Sequence, residues 1–175
     1  AVLGGERATG IRTAVGGFEA DVVVMAIGVR PATAFLNDSG IEMFKGTIVV
    51  DKHQKTNLPD VYAVGDCAMV YNRITGKGQW SAMGSTANIT GRLLAKNLTG
   101  GDAPYGGCLG TGVVKLAEGL NAGRTGLTEE QAIAAGYDVI TATCVTDDKA
   151  HYYPDASTFV TKLIADRQSH RLLGI

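Results

Sequence analysis

The sequence is poor in most of the features that mark a specialised class. It holds three cysteines and four prolines, 6% of its 175 residues are aromatic, and only 19% are charged. Cys67, Cys108 and Cys144 are odd in number and form no C-x-x-C pair, which argues against a disulfide framework or a zinc knuckle, and no metal site is expected. Without a preceding secretory signal, that cysteine usage fits a reducing, cytoplasmic setting. No uncharged apolar run approaches the ~20 residues of a membrane-spanning helix, the longest, Val22 to Val29, having only a strand's length. The formal net charge is −1 with both signs dispersed, so no basic face for nucleic acid or anionic lipid is expected, and no acidic tail. A small-molecule ligand is the better default. No G-x-G-x-x-G opens a helix after a strand, and the glycines from Gly106 to Gly112 are followed by neither a Walker Lys-Ser/Thr nor a helix, which excludes a phosphate loop there.

What the chain has in excess is glycine, 24 residues, roughly 14% against a usual ~7%. With so low a charge content this composition excludes disorder and describes a glycine-punctuated globular chain. A strand-turn-strand pattern spans Gly10 to Asp21 and runs into Val22–Ile27, whose unalternated β-branched residues predict a strand covered on both faces. It ends at Gly28-Val29-Arg30-Pro31, a ligand-facing loop or an ordinary strand-end turn. Ala32 to Asn37 reads as a helical turn, Gly46 to Asp51 as a short strand, and Pro59 to Asp66 as a second buried strand. Ser85 to Leu98 reads as a helix, with Ser85 or Thr86 as its N-cap, Ile89, Leu93, Leu94 and Leu98 on its apolar stripe, and Gly100-Gly101 as its stop.

Asp102 to Gly107 is the best linker candidate. Beyond it the pattern predicts strands near Gly112–Leu116 and Leu120–Arg124 and then a helix. Thr128 and Gln131 have capping-box spacing there, Glu129 and Glu130 sit in the first turn, and Gly136 closes the helix. Strands near Tyr137–Cys144, Thr158–Ala165 and Arg171–Ile175 complete an α+β unit with an antiparallel sheet.

The richest stretch is Thr56-Asn57-Leu58-Pro59-Asp60-Val61-Tyr62-Ala63-Val64-Gly65-Asp66. In open α/β sheets ligands bind beyond the carboxyl ends of strands. There Gly65 would admit a ligand close to the backbone, and Asp66 would offer two acceptors to hydroxyl groups. Asp after Gly is equally a turn or N-cap residue, so the physics leaves both readings open. Tyr152 and Tyr153, before Pro154, read most simply as packing residues, Cys67 as a small buried hydrophobe, and Cys108 and Cys144 as structural.

The pattern T-x-x-P-x-V-Y-A-x-G-D resembles the second flavin-binding motif of the pyridine nucleotide-disulfide oxidoreductases, with all its fixed positions present. Met25 to Pro31 is similar to the segment by which that family leaves its NAD(P)H-binding domain. The resemblance implies FAD and NAD(P)H as cofactors, Asp66 on a ribityl hydroxyl with Gly65 beside it, and Gly28 near the nicotinamide. The backbone amides of Ala82, Met83 and Gly84 would face the flavin's pyrimidine edge. It implies an α/β and α+β architecture: residues 1–30 as the tail of the NAD(P)H-binding domain, 31–103 as the closing segment of a three-layer FAD-binding domain, and 104–175 as most of an α+β dimerisation domain with an antiparallel sheet.

Gly110 to Lys115, Arg124 to Glu129 and Lys162 to Gly174 are similar to the branch holding coenzyme A disulfide reductases, NADH oxidases and NADH peroxidases. His151-Tyr152-Tyr153-Pro154 is similar to a segment of the coenzyme A disulfide and persulfide reductases in which a tyrosine reaches the partner's active site. The resemblance makes Tyr152 or Tyr153 a catalytic candidate. The implied protein is a homodimer that passes a hydride from NAD(P)H through FAD to a cysteine centre reducing a small disulfide or persulfide, coenzyme A linked. An NADH oxidase or peroxidase is the alternative. The family's first FAD fingerprint, its redox cysteine and its NAD(P)H fingerprint have no counterpart in these 175 residues. The chain is therefore expected to be a C-terminal part that alone binds flavin weakly, and by itself a non-catalytic dimerisation module is the competing reading.

Overall fold

The computed structural model describes residues 1–175, which form two units, Ala1–Arg30 and Pro31–Ile175. In the first, β1 (Val2–Gly4), β2 (Ala8–Thr13) and β3 (Gly16–Glu19) make an antiparallel sheet in sequence order. The β2–β3 register brings Thr13 opposite Gly16, and the Thr13 hydroxyl donates to the Gly16 carbonyl at 3.1 Å, closing the hairpin over Ala14 and Val15. Val22–Ile27 does not form the expected strand: the segment is irregular, with Val22, Val24 and Ile27 76, 82 and 86% exposed. A run of β-branched residues reports a preference for burial, but a strand also needs hydrogen-bonding neighbours. The three strands of this unit pair only with one another.

The second unit opens with a 3₁₀ turn at Ala34–Leu36 and the hairpin β4 (Met43–Phe44) and β5 (Thr47–Ile48). Lys45 and Gly46 both take positive φ, 50° and 83°, as a two-residue type I′ turn requires. The Thr33 hydroxyl ties the preceding turn to the Gly46 carbonyl at 2.7 Å. Beyond β5 the chain makes an isolated parallel bridge, Ile48 to Ala68, and the Ile48 amide donates to the Cys67 carbonyl at 2.8 Å. Ile48, Val50, Ala63 and Ala68 form the buried cluster beneath, with Leu36, Ile41 and Cys67 packed against it. Pro59–Asp66, expected as a buried strand, pairs only through one bridge, Lys55 to Tyr62. It is fixed instead by Thr56, whose amide and hydroxyl both donate to the Val61 carbonyl at 2.9 Å.

The hairpin β6 (Met69–Tyr71) and β7 (Gly78–Trp80) leads into α1 (Gly84–Leu98). Neither Ser85 nor Thr86 caps that helix; Met83 occupies the N-cap position and no side chain accepts from the first turn. The buried positions of α1 are Thr86 and Thr90, whereas Ile89 and Leu98 of the expected apolar stripe are exposed. Past α1, Asn97 brackets Ala103, accepting from its amide at 2.7 Å and donating to its carbonyl at 3.2 Å. The elements that follow agree with the sequence reading: β8 (Gly112–Ala117) pairs with β9 (Leu120–Arg124), and α2 (Glu129–Ala134) starts with both bonds of the Thr128/Gln131 capping box.

Strands β10 (Val139–Asp147), β11 (Thr158–Asp166) and β12 (Leu172–Gly174) form one antiparallel sheet in that order. Leu127, Ala132, Ile164 and Leu173 are its buried cluster. Tyr137 packs against that cluster and donates its hydroxyl to the Ile74 carbonyl at 3.0 Å, joining this part of the unit to the β6–β7 turn. A broad apolar surface on β8, β10 and β11, including Val113, Leu116, Val145, Phe159 and Val160, is exposed. Cys144, read as structural, is also exposed, because the β10 positions around it have no covering layer in this chain.

Candidate functional site

Asp66 lies at the end of the Thr56–Asp66 segment, just before β6. Its carboxylate is exposed and has no hydrogen-bond partner in the chain, while its main-chain oxygen accepts from Trp80 Nε1 at 2.7 Å. Gly65 takes a φ of +84°, and a Cβ built on it would meet no atom within 4 Å. A side chain there would be strained by the backbone angle and would occupy the open space beside Asp66. Trp80 is the clamp that holds this turn to the end of β7. No periodic signal marks that role, because the bond runs to the main chain of a residue fourteen positions away.

Four residues after Trp80 the chain enters α1. The amides of Gly84, Ser85 and Thr86 have no acceptor in the protein, and the first turn holds no acidic residue. Such an uncapped start presents free donors and a partial positive charge of about half a unit. Ala82 and Met83 are exposed and, with Trp80 and Ser81, form one wall of an open cavity of about 820 Å³ whose other wall includes Leu109 to Gly112 and Gly126. Asp66 offers acceptors for hydroxyl groups, and α1 offers donors for a carbonyl-bearing ring edge. That donor and acceptor set, with the bare Gly65, fits a flavin and its ribityl chain.

Behind the helix start lies a second layer of polar groups that sequence reasoning did not single out. The hydroxyls of Ser81 and Thr86, both buried, are 3.2 Å apart, and Thr90 donates to the Thr86 carbonyl at 2.9 Å. Tyr105 sits beside them with its phenol pushed up from the usual value, first by burial and then by the charge of Cys108, while nearby Thr86 and Arg73 act the other way. Gln79 donates to the Cys108 sulfur at 2.8 Å, so that half-buried thiol is held within a polar network. Cys67 packs against the Ile48 cluster, in keeping with a small hydrophobe.

The remaining candidates lie elsewhere. Gly28 belongs to the first unit, in the irregular segment after β3, with a φ of +74° and open space where a Cβ would stand. Tyr152 and Tyr153 lie in the β10–β11 connection, 73 and 56% exposed, their ring centroids 5.0 Å apart. Neither hydroxyl has a partner, and neither residue lines the cavity at α1.

Residues 31–175 thus combine antiparallel hairpins, a helix with an uncapped start and an α+β layer with an exposed apolar surface. The chain belongs to the pyridine nucleotide-disulphide oxidoreductase family: residues 3–90 match that family and residues 118–175 match its dimerisation domain. It is 34% identical over 175 residues to an NAD(P)H sulfur oxidoreductase (CoA-dependent) of Pyrococcus furiosus, covering 99% of this chain and 39% of the relative. An NADH oxidase of Streptococcus pneumoniae is 39% identical over 160 residues, 90% of this chain and 34% of the relative. Among solved structures, an NAD-dependent persulfide reductase from A. fulgidus superposes with a TM-score of 0.87 at 33% identity, covering 99% of this chain and 32% of that one. The chain thus spans about two fifths of the length of the curated relatives it matches. No helix is long and apolar enough to cross a membrane, and no cluster of three metal-ligating side chains is present.

Proposed function

We propose that this chain is the flavin-closing and dimerisation part of an FAD-dependent NAD(P)H oxidoreductase that reduces a small disulfide or persulfide, coenzyme A linked. The observation that carries the reading is the partnerless Asp66 carboxylate, on a turn whose main-chain oxygen Trp80 holds, one short segment ahead of the uncapped α1. Asp66 would accept from a ribityl hydroxyl, and Gly65 would let the chain of the cofactor approach. The amides that follow Ala82 and Met83, beginning at Gly84, would stabilise negative charge on the pyrimidine edge. Bound FAD would supply the hydride-accepting and electron-passing chemistry, which no side chain of this chain can. Gly28 would lie beside the nicotinamide.

The substrate class is supported by the names of the Pyrococcus and A. fulgidus relatives, and a homodimer by the dimerisation-domain match with its exposed apolar face. Across such a dimer Tyr152 or Tyr153 would protonate the departing thiolate. Three free cysteines fit a cytoplasmic setting. The similarity to the Streptococcus oxidase favours a second reading, an NADH oxidase.

Replacing Asp66 with Ala in the full-length polypeptide tests the central point. The variant is expected to fold but to lose most of its bound FAD on gel filtration, and undiminished flavin content would overturn the assignment. Turnover of coenzyme A disulfide against oxygen by the parent then separates the two readings.

A further inference from the structure

The helix start that would face the flavin is built from residues that ordinarily cap helices, yet none of them caps it. Ser81, Ser85 and Thr86 all carry hydroxyls able to accept from first-turn amides. The Ser81 and Thr86 hydroxyls bond to each other instead, across the N-cap residue Met83. Thr86 is buried while Gly84 and Ser85 beside it are exposed, so its side chain points back into the protein and not toward the open cavity. Its carbonyl is held in turn by the Thr90 hydroxyl, itself buried, at 2.9 Å. Threonine is a poor choice for helix propensity at either position, which removes the simplest other reason for the pair.

Tyr105 closes the group from the far side. Its amide donates to the Lys52 carbonyl at 2.7 Å, fixing it to the loop after β5, and its ring joins Ser81, Thr86, Arg73 and Cys108 around a small cavity of about 230 Å³. Residues from three separate stretches, the end of β7, the first turn of α1 and the segment after α1, therefore converge behind three amides that have no protein acceptor.

Building on the flavin reading above, we propose that Thr86 is a positioning residue: held by the Ser81 hydroxyl, with Tyr105 lining the same small cavity, its buried hydroxyl fixes the first turn of α1 so that the free amides stay aimed at the flavin's pyrimidine edge. It touches no reacting atom. It acts through the amides of Gly84, Ser85 and its own backbone, whose partial positive charge favours the reduced, negatively charged flavin. A small rotation of that turn weakens the interaction without vacating the site, because Asp66 and Gly65 hold the other end of the cofactor.

The test is a redox titration of full-length, FAD-loaded protein carrying Thr86→Val, which keeps the shape and deletes the hydroxyl, alongside Thr86→Ser and Tyr105→Phe. Thr86→Val is expected to keep its flavin while the equilibrium ratio of reduced to oxidised flavin falls about fivefold at a fixed poise, the upper end of a helix-terminus contribution. Thr86→Ser is expected to restore the parent ratio, and Tyr105→Phe to give a smaller fall. A flavin-loaded Thr86→Val protein that melts earlier but titrates with the parent would show Thr86 to be merely structural and sink the proposal. If Thr86→Val does not fold, Ser81→Ala and Tyr105→Phe carry the same measurement, and parent titrations in both have the same meaning. A parent protein that binds no flavin would sink the flavin reading, and this proposal with it; the unchanged titration sinks the proposal alone.

Discussion

Trp80 Nε1 donates to the main-chain oxygen of Asp66 at 2.7 Å, and this one bond ties the candidate cofactor turn to the strand that leads into α1. Trp80→Phe keeps an aromatic ring and removes the donor. The expected loss is about 1 kcal/mol of stability, the usual net value of one such bond. In the full-length protein FAD release is also expected to quicken, because the Gly65-Asp66 turn gains freedom. Stopped-flow flavin release and a denaturant midpoint check both, and a variant matching the parent in each would show that the bond holds nothing.

Gly126 and Gly174 face each other in an isolated antiparallel bridge beside the Leu127 and Leu173 core. A Cβ on Gly174 would overlap the Leu127 carbonyl, and one on Gly126 the Leu173 carbonyl. Both obstacles are backbone atoms, which cannot swing aside as a side chain would. Gly174→Ala is expected to cost about 1–3 kcal/mol, as forced overpacking does. Gly112→Ala, whose Cβ would meet nothing within 4 Å, is the control and should stay within about 0.5 kcal/mol of the parent. Thermal unfolding of the three proteins decides it.

The parts of the fold that were legible in the sequence are those whose signal is local. Thr128 and Gln131 announce α2 because both bonds of the capping box lie within one turn. The β8–β9 hairpin and strands β10 to β12 follow the same rule, each adjacent to its partner in sequence. Val22–Ile27 and Pro59–Asp66 fail as strands because a buried strand depends on neighbours on both edges: the first pairs with no strand, and the second makes only the Lys55–Tyr62 bridge. Asp66 and Gly65 were singled out through a resemblance spanning one continuous motif, whereas the uncapped start of α1 runs against the Ser85 or Thr86 cap expected from the sequence. Ser81, Thr86, Tyr105 and the Trp80 clamp were not, since their contacts join stretches 5 to 19 or more positions apart that carry no periodic pattern.

Tyr152 and Tyr153 are too exposed to be core residues in this chain, and their hydroxyls are free. Packing alone would make their conversion to Phe neutral. As proton donors across a dimer, one of them is expected to lower turnover of coenzyme A disulfide by roughly 10²-fold when changed to Phe, the low end for general acid catalysis. Flavin reduction by NAD(P)H should stay at the parent rate, since that step precedes thiolate departure. Parent turnover in both single variants would remove the pair from the mechanism.

The Asp166 carboxyl lies at the turn between β11 and β12, where the Ser169 hydroxyl and amide both donate to it; these bonds hold it below its usual 3.8. Because the folded value is depressed, the stabilisation is present at pH values above 3.8 and is lost as the pH falls through the folded value. Ser169→Ala removes the hydroxyl, the first of those causes, and returns the carboxyl toward its ordinary range. The variant is therefore expected to be less stable than the parent at about pH 7 and to converge with it once the pH lies below the parent's folded value. The carboxyl lies near the surface of a partly exposed residue, so the difference is small and is best read from paired urea midpoints. A gap of equal size at both pH values would mean that Ser169 stabilises the turn through its other contact, the Arg171 amide, and not through the charge on Asp166.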